Sequence, residues 1–117
     1  MKWILVVIFL TGIACAQSAP KRYTDGNDLR DECGAAVAGQ LGTYQSGHCL
    51  GFIEGYLQVA PIPNLPTHCI PAGVTYEQLT KVVVKYLDQH PEKLHLAAVL
   101  LISQATHYAF PCSAKMK

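Results

Sequence analysis

The apolar positions of this chain form four stripes of helical period, punctuated by glycines and prolines. Leu29, Cys33, Ala36, Val37 and Leu41 follow i, i+4, i+7, i+8 and i+12, with Asp25 or Asn27 placed to cap the first turn. Gly42 and Gly47 bracket a loop that carries Tyr44. A second stripe, Cys49, Ile53, Tyr56, Leu57 and Ala60, has the same period and stops at Pro61, Pro63 and Pro66, which cannot continue a helix. The third helix has the clearest signals: Thr75 and Gln78 form a capping box, and Leu79, Val82, Val83, Tyr86 and Leu87 share one face opposite Lys81 and Lys85. The valines at 82 to 84 would suit a strand, but the cap, the period and the length favour a helix. His90-Pro91 marks a break, because proline disfavours helix in the residue before it and suits the first position of a new one. A fourth helix is therefore predicted from Pro91 to Ala109. Its middle, Leu96 to Ile102, is apolar all round, as in a central helix or at a dimer face. Together these elements predict an all-α, compact four-helix domain over residues 25–112, after a flexible lead-in at 17–24 and before a short tail at 113–117.

The first sixteen residues have the three parts of a secretory signal. Lys2 gives the positive start, Trp3 to Leu10 the apolar stretch, and Ala14-Cys15-Ala16 a small-x-small site cut before Gln17. The apolar stretch is shorter than the roughly 20 residues needed to span a bilayer. The expectation is export to the periplasm with no membrane span; the rival is a lipoprotein acylated at Cys15. Loss of residues 1–16 removes Lys2 alone among the charges, so eight basic residues then face eight acidic ones. Charges so few and scattered do not suggest a nucleic-acid partner.

Four further cysteines, Cys33, Cys49, Cys69 and Cys112, follow this leader in a small exported chain, and such an even set reads as a disulfide framework. Four cysteines allow three pairings. The preferred one joins Cys33 to Cys49 across the glycine-bracketed loop and Cys69 to Cys112, each bond fastening a segment with few apolar residues of its own. His48-Cys49 and His68-Cys69 also raise the alternative of a zinc site, but the chain lacks the close CxxC or HxxxH pairs that most small zinc sites use. A nucleophile elbow, a phosphate-binding glycine loop and an obvious carboxylate dyad are missing as well. The reading is a protein that is not an enzyme, with no catalytic residue, no metal and no cofactor.

Gly51 and Gly55, four apart in the second helix, are expected to let a neighbouring helix backbone approach closely, so that Gly55→Leu would destabilise the fold. The five histidines, at 48, 68, 90, 95 and 107, are expected on loops or helix surfaces.

The order Gly26-Asn27-Asp28-Leu29 with Cys33, Cys49-Leu50-Gly51-Phe52-Ile53-Glu54-Gly55, and Cys69-Ile70-Pro71-Ala72-Gly73-Val74-Thr75 resembles the Rap/Tai family. Gln78-Leu79, Val82 to Leu87, His90-Pro91-Glu92 and the closing Ala109-Phe110-Pro111-Cys112 extend the likeness over about Gly26 to Cys112. These are immunity proteins against amidase effectors of type VI secretion. The resemblance implies an exported helical homodimer that blocks a peptidoglycan-cleaving amidase by occluding its active site. One departure is Gln104-Ala105-Thr106-His107-Tyr108, more polar than the apolar run expected there. The expected contact regions are the Gly42 to His48 loop and the Pro61 to Thr67 segment, with Tyr44, Gln45, His48 and Asn64 as partner-binding candidates. The alternative reading is a small disulfide-bonded envelope stress protein or chaperone, in which the histidines switch near pH 6.

Overall fold

The computed structural model describes residues 24–113. The signal sequence expected at 1–16, most of the lead-in and nearly all of the tail lie outside them. Four α-helices follow in order: α1 (Gly26–Val37), α2 (Tyr44–Val59), α3 (Tyr76–Gln89) and α4 (Ala98–Ala109), with a 3-10 turn at Pro91–Lys93 before the last. Among the described residues there is no strand, only an antiparallel bridge between Asp25 and Ala97. The all-α, four-helix expectation holds.

Each helix start has a local cause. Asp25 caps α1, its carboxylate accepting from Asn27 and Asp28 while Asp28 reaches back to the cap backbone. Thr43 caps α2 by accepting from the Ser46 amide at 3.2 Å, and the Ser46 hydroxyl donates to the Thr43 carbonyl at 3.0 Å. The Thr75/Gln78 capping box of α3 is formed as expected.

The predicted first helix runs too far. After the C-cap Ala38, Gly39 takes a φ of +81°, its amide bonds the Ala36 carbonyl, and the Gln40 amide bonds that of Ala35. This is a Schellman ending, which needs a left-handed residue that glycine adopts at little cost. Leu41 consequently lies past the helix and is 69% exposed. The loop predicted from Gly42 to Gly47 is also shorter than expected, because Thr43 starts α2 and places Tyr44, Gln45, Gly47 and His48 on the helix.

The predicted fourth helix begins too early. A continuous helix would bond the Ala98 amide to the Leu94 carbonyl; instead that amide donates to Thr24, and the Leu94 carbonyl accepts from the backbone and side chain of Asn27. The Gly26 amide takes the Leu96 carbonyl at 3.0 Å. Residues 24–27 therefore cross the 94–98 segment and hold it out of helix. The crossing is tight: a Cβ on Gly26 would sit 2.8 Å from the Leu94 carbonyl oxygen and 2.4 Å from Leu101 Cδ1.

The core lies between the helices, with α1 against α2 and α3, and α3 against α4. It is built from Leu29 and Cys33 of α1, Cys49, Ile53 and Tyr56 of α2, Leu79, Val83, Tyr86 and Leu87 of α3, and Ala98, Leu101, Ile102 and Ala105 of α4. The apolar middle of α4 is thus a core position. Both preferred disulfides are present, Cys33–Cys49 and Cys69–Cys112, with Cα atoms 5.1 and 5.0 Å apart.

Among the described residues, Gly51 and Gly55 do not mediate a helix crossing. Both are exposed, and a Cβ at either position would meet nothing within 4 Å. The destabilisation expected of Gly55→Leu therefore has no basis inside the protomer.

Candidate functional site

Between α2 and α3 the chain runs through residues 60–75 without helix, with a cis peptide at Ala60-Pro61 and Asn64 at a φ of 66°. Few apolar side chains hold this loop; Ile62, Ile70 and Val74 are only partly buried. Polar side chains of α4 supply the rest. The Ser103 hydroxyl donates to the Pro66 carbonyl at 2.8 Å, His107 Nδ1 donates to the Thr67 carbonyl, and the Cys69 amide donates to the Phe110 carbonyl at 2.9 Å. Between them His68 Nδ1 lies 3.2 Å from Thr106 Oγ1 and 3.4 Å from the Tyr56 hydroxyl. Residues 66 to 69 are thus each bound in turn, and the Cys69–Cys112 bond closes the row.

The polar run Gln104 to Tyr108 thereby acquires a structural purpose. Thr106 and His107 fasten the loop, while Gln104 accepts the Tyr86 hydroxyl at 2.9 Å on the opposite flank. On that flank Lys93 donates to the same hydroxyl at 2.8 Å, and His90 stacks on the Tyr86 ring. Three histidines expected at the surface, His48, His68 and His90, are instead half-buried and engaged; His95 and His107 are exposed.

Beside the loop opens a cleft of about 710 Å³, lined by Leu57, His68, Cys69, Ile70 and Val74 on one side and by Thr75 to Glu77 at the start of α3 on the other. A smaller one of about 270 Å³ lies among Tyr56, Ala60, Pro61, Pro66, Thr67 and His68. Burial holds the His68 imidazole below its usual pKa, and the neighbouring His107 lowers it further. Glu77 is also held below the ordinary carboxylate range, by its own backbone amide first and by the Thr75 hydroxyl second.

The four partner-binding candidates do not form one patch. Tyr44 and Gln45 lie exposed on the first turn of α2, and His48 sits one turn on, stacked against Tyr44 with Nδ1 2.5 Å from Glu32 Oε2 of α1. Asn64 lies beyond the other end of α2, which extends roughly 22 Å from Tyr44 to Val59 at 1.5 Å per residue. Sequence reasoning missed Ser103, Thr106 and His107 as the residues that shape the loop. Their one signal was polarity at Ser103, Gln104, Thr106 and His107 after the apolar run that opens the helix.

All four described cysteines are in disulfides, so the two His-Cys pairs have no thiolate to offer a metal. Among the described residues no group of three or more histidine, cysteine or acidic side chains is placed to hold an ion, and no helix is long and apolar enough to cross a membrane. No curated protein and no solved structure matches the chain. A family model does: that of the Rap1a immunity proteins, over residues 25–112.

Proposed function

The chain belongs to the Rap1a immunity protein family, and from that premise we propose that it is a periplasmic inhibitor of a peptidoglycan amidase delivered by type VI secretion. It performs no reaction of its own; it binds the effector and occludes the active site. The family match over 25–112, which takes in the four described α-helices and both disulfides, is the observation that carries this reading. Two structural bonds also suit an oxidising compartment outside the cytoplasm.

We assign the inhibitory contact to the 60–75 loop rather than to the Tyr44 end. The loop is held in one shape by bonds at four successive residues and a disulfide, while Pro61, Pro63 and Asn64 stay exposed. A segment ordered before binding loses less entropy on association, so a small contact can reach high affinity. Tyr44 has the exposed aromatic ring that suits a partner's cleft, but it stands on an ordinary helix turn and stacks on its own neighbour.

The homodimer is assigned to the outer face of α2. There Gly51 and Gly55 leave backbone open beside Phe52, Val59 and Val99, and Val59 is 64% exposed. Glycine in a helix interior costs about 1 kcal/mol relative to alanine, and close approach of a second copy offsets that cost where the protomer itself does not.

The test is stoichiometric. Oxidised protein is titrated into purified candidate amidase effectors while release of peptidoglycan fragments is followed. Loss of hydrolysis at one protomer per enzyme is expected; full activity in excess protein refutes inhibition. Suppression of client aggregation at pH 5, with no effect on any amidase, would instead support the chaperone alternative.

A further inference from the structure

We infer that the Cys69–Cys112 bond is a thiol–disulfide exchange site, opened in the folded protein by a dithiol protein of thioredoxin type, and that Cys33–Cys49 is closed to such attack. The two bonds differ in access. Cys33 and Cys49 are 0% exposed in the core between α1 and α2, whereas Cys69 and Cys112 are both exposed. Exchange requires a thiolate to reach a disulfide sulfur, so access decides which bond reacts.

The surroundings of Cys69 add a place for the attacking partner. It lines the open cleft of about 710 Å³, whose apolar wall is Leu57, Ile70 and Val74. A loop carrying a reactive cysteine can rest against that wall and bring its sulfur to Cys69. The thiolate bonds to Cys69 Sγ, the Cys69–Cys112 bond breaks, and Cys112 leaves as a thiolate that takes a proton from water. The partner's second thiol then attacks the mixed disulfide and releases Cys69 as a thiol, so two electrons and two protons pass from the dithiol to the cystine.

No helix has to move for this. With the bond open, the Cys69 amide still bonds Phe110, Ser103 still bonds Pro66 and His107 still bonds Thr67. What is released, among the described residues, is Pro111 to Ser113. Opening Cys33–Cys49, by contrast, requires α1 and α2 to separate around Leu29 and Ile53. The inference rests on burial and the cleft, and stands whether or not the protein inhibits an amidase.

The experiment uses the oxidised full-length protein without denaturant. Dithiothreitol is added over a concentration series, samples are quenched with iodoacetamide, and label at the four disulfide cysteines among the chain's five, Cys33, Cys49, Cys69 and Cys112, is mapped by mass spectrometry. Label is expected first at Cys69 and Cys112, at a rate linear in dithiothreitol, with Cys33 and Cys49 slower by about a hundredfold or more because they wait for local opening. A thioredoxin with its resolving cysteine replaced by serine should then be trapped on Cys69. Equal initial rates for the two bonds, reduction of neither without denaturant, or trapping on Cys112 instead of Cys69 would each overturn the assignment.

Discussion

The two crosslinked regions of this protein use the same bond for different ends. At the corner of α1 and α2, Cys33–Cys49 is itself core: it lies among buried apolar side chains, and the helices it joins are capped and packed on their own account. At the other end, Cys69–Cys112 lies at the surface and pins a proline-rich loop with few apolar side chains of its own to the end of α4. Burial holds the first region, and hydrogen bonds from α4 hold the second. A loop kept in place by polar bonds leaves its outer side available for recognition, which packing into a core would not allow.

Removal of the buried bond is the strongest way to test that contrast. Cys33→Ala with Cys49→Ala loses roughly 3 kcal/mol of loop-closure stabilisation and adds a cavity where two sulfurs were packed, for a total of about 4 to 5 kcal/mol. The corresponding change at 69 and 112 opens a longer loop and loses roughly 4 kcal/mol, with no cavity and with the α4 bonds left in place. Urea melts of the two double variants should therefore rank the buried pair as the more costly; the opposite ranking breaks the comparison.

A pair of glycines sharpens it. Gly26→Ala forces a methyl against the Leu94 carbonyl and should cost about 1 to 3 kcal/mol. Gly55→Ala places one in open space and should raise the stability of the dilute protein by up to about 1 kcal/mol while weakening self-association in sedimentation. On the loop side, Ser103→Ala leaves the Pro66 carbonyl without its partner, at about 1 kcal/mol. Its distinguishing sign is faster amide exchange at residues 67–69 with the rest of the pattern unchanged.

The smallest effect is in pH. Because burial and His107 depress the His68 pKa, the unfolded chain binds this proton more readily than the folded one. Stability should fall as pH drops below the unfolded value of about 6.5, and level off once the folded-state pKa has been passed. His68→Gln should flatten that part of the stability curve, and a curve unchanged in slope would show that His68 does not carry it.

How much of this was legible in the sequence depended on how local the cause is. The Thr75/Gln78 box lies within four residues and was read correctly, as were the stripes of α2 and α3. Gly39 and Thr43 are equally local signals, but the apolar spacing of Val37 and Leu41 outweighed the first, and Gly42 and Gly47 masked the second. The break at His90-Pro91 was legible, but the non-helical stretch at 94–97 that follows it was invisible for a different reason. It is imposed by Thr24, Gly26 and Asn27, some seventy residues away, which take the backbone groups a helix would have used. A similar separation hid the tight glycine: Gly26 packs against Leu94 and Leu101, whereas the expected close-packing pair, Gly51 and Gly55, meets nothing within 4 Å among the described residues. At the candidate site the sequence pointed to the segment but not to what shapes it, because Ser103, Thr106 and His107 bond backbone carbonyls and a histidine nearly forty residues earlier.

The most direct test of the inhibitory assignment is calorimetric titration of the proposed amidase effector with the parent protein, Asn64→Trp and Tyr44→Ala. Both positions are exposed; because Asn64 sits at a φ of 66°, where tryptophan is strained, the Asn64→Trp titration is read only with a melting curve that matches the parent's. The account predicts that Asn64→Trp abolishes measurable binding and that Tyr44→Ala binds as the parent does. Binding that survives Asn64→Trp and is lost with Tyr44→Ala would contradict it and move the contact to the other end of α2.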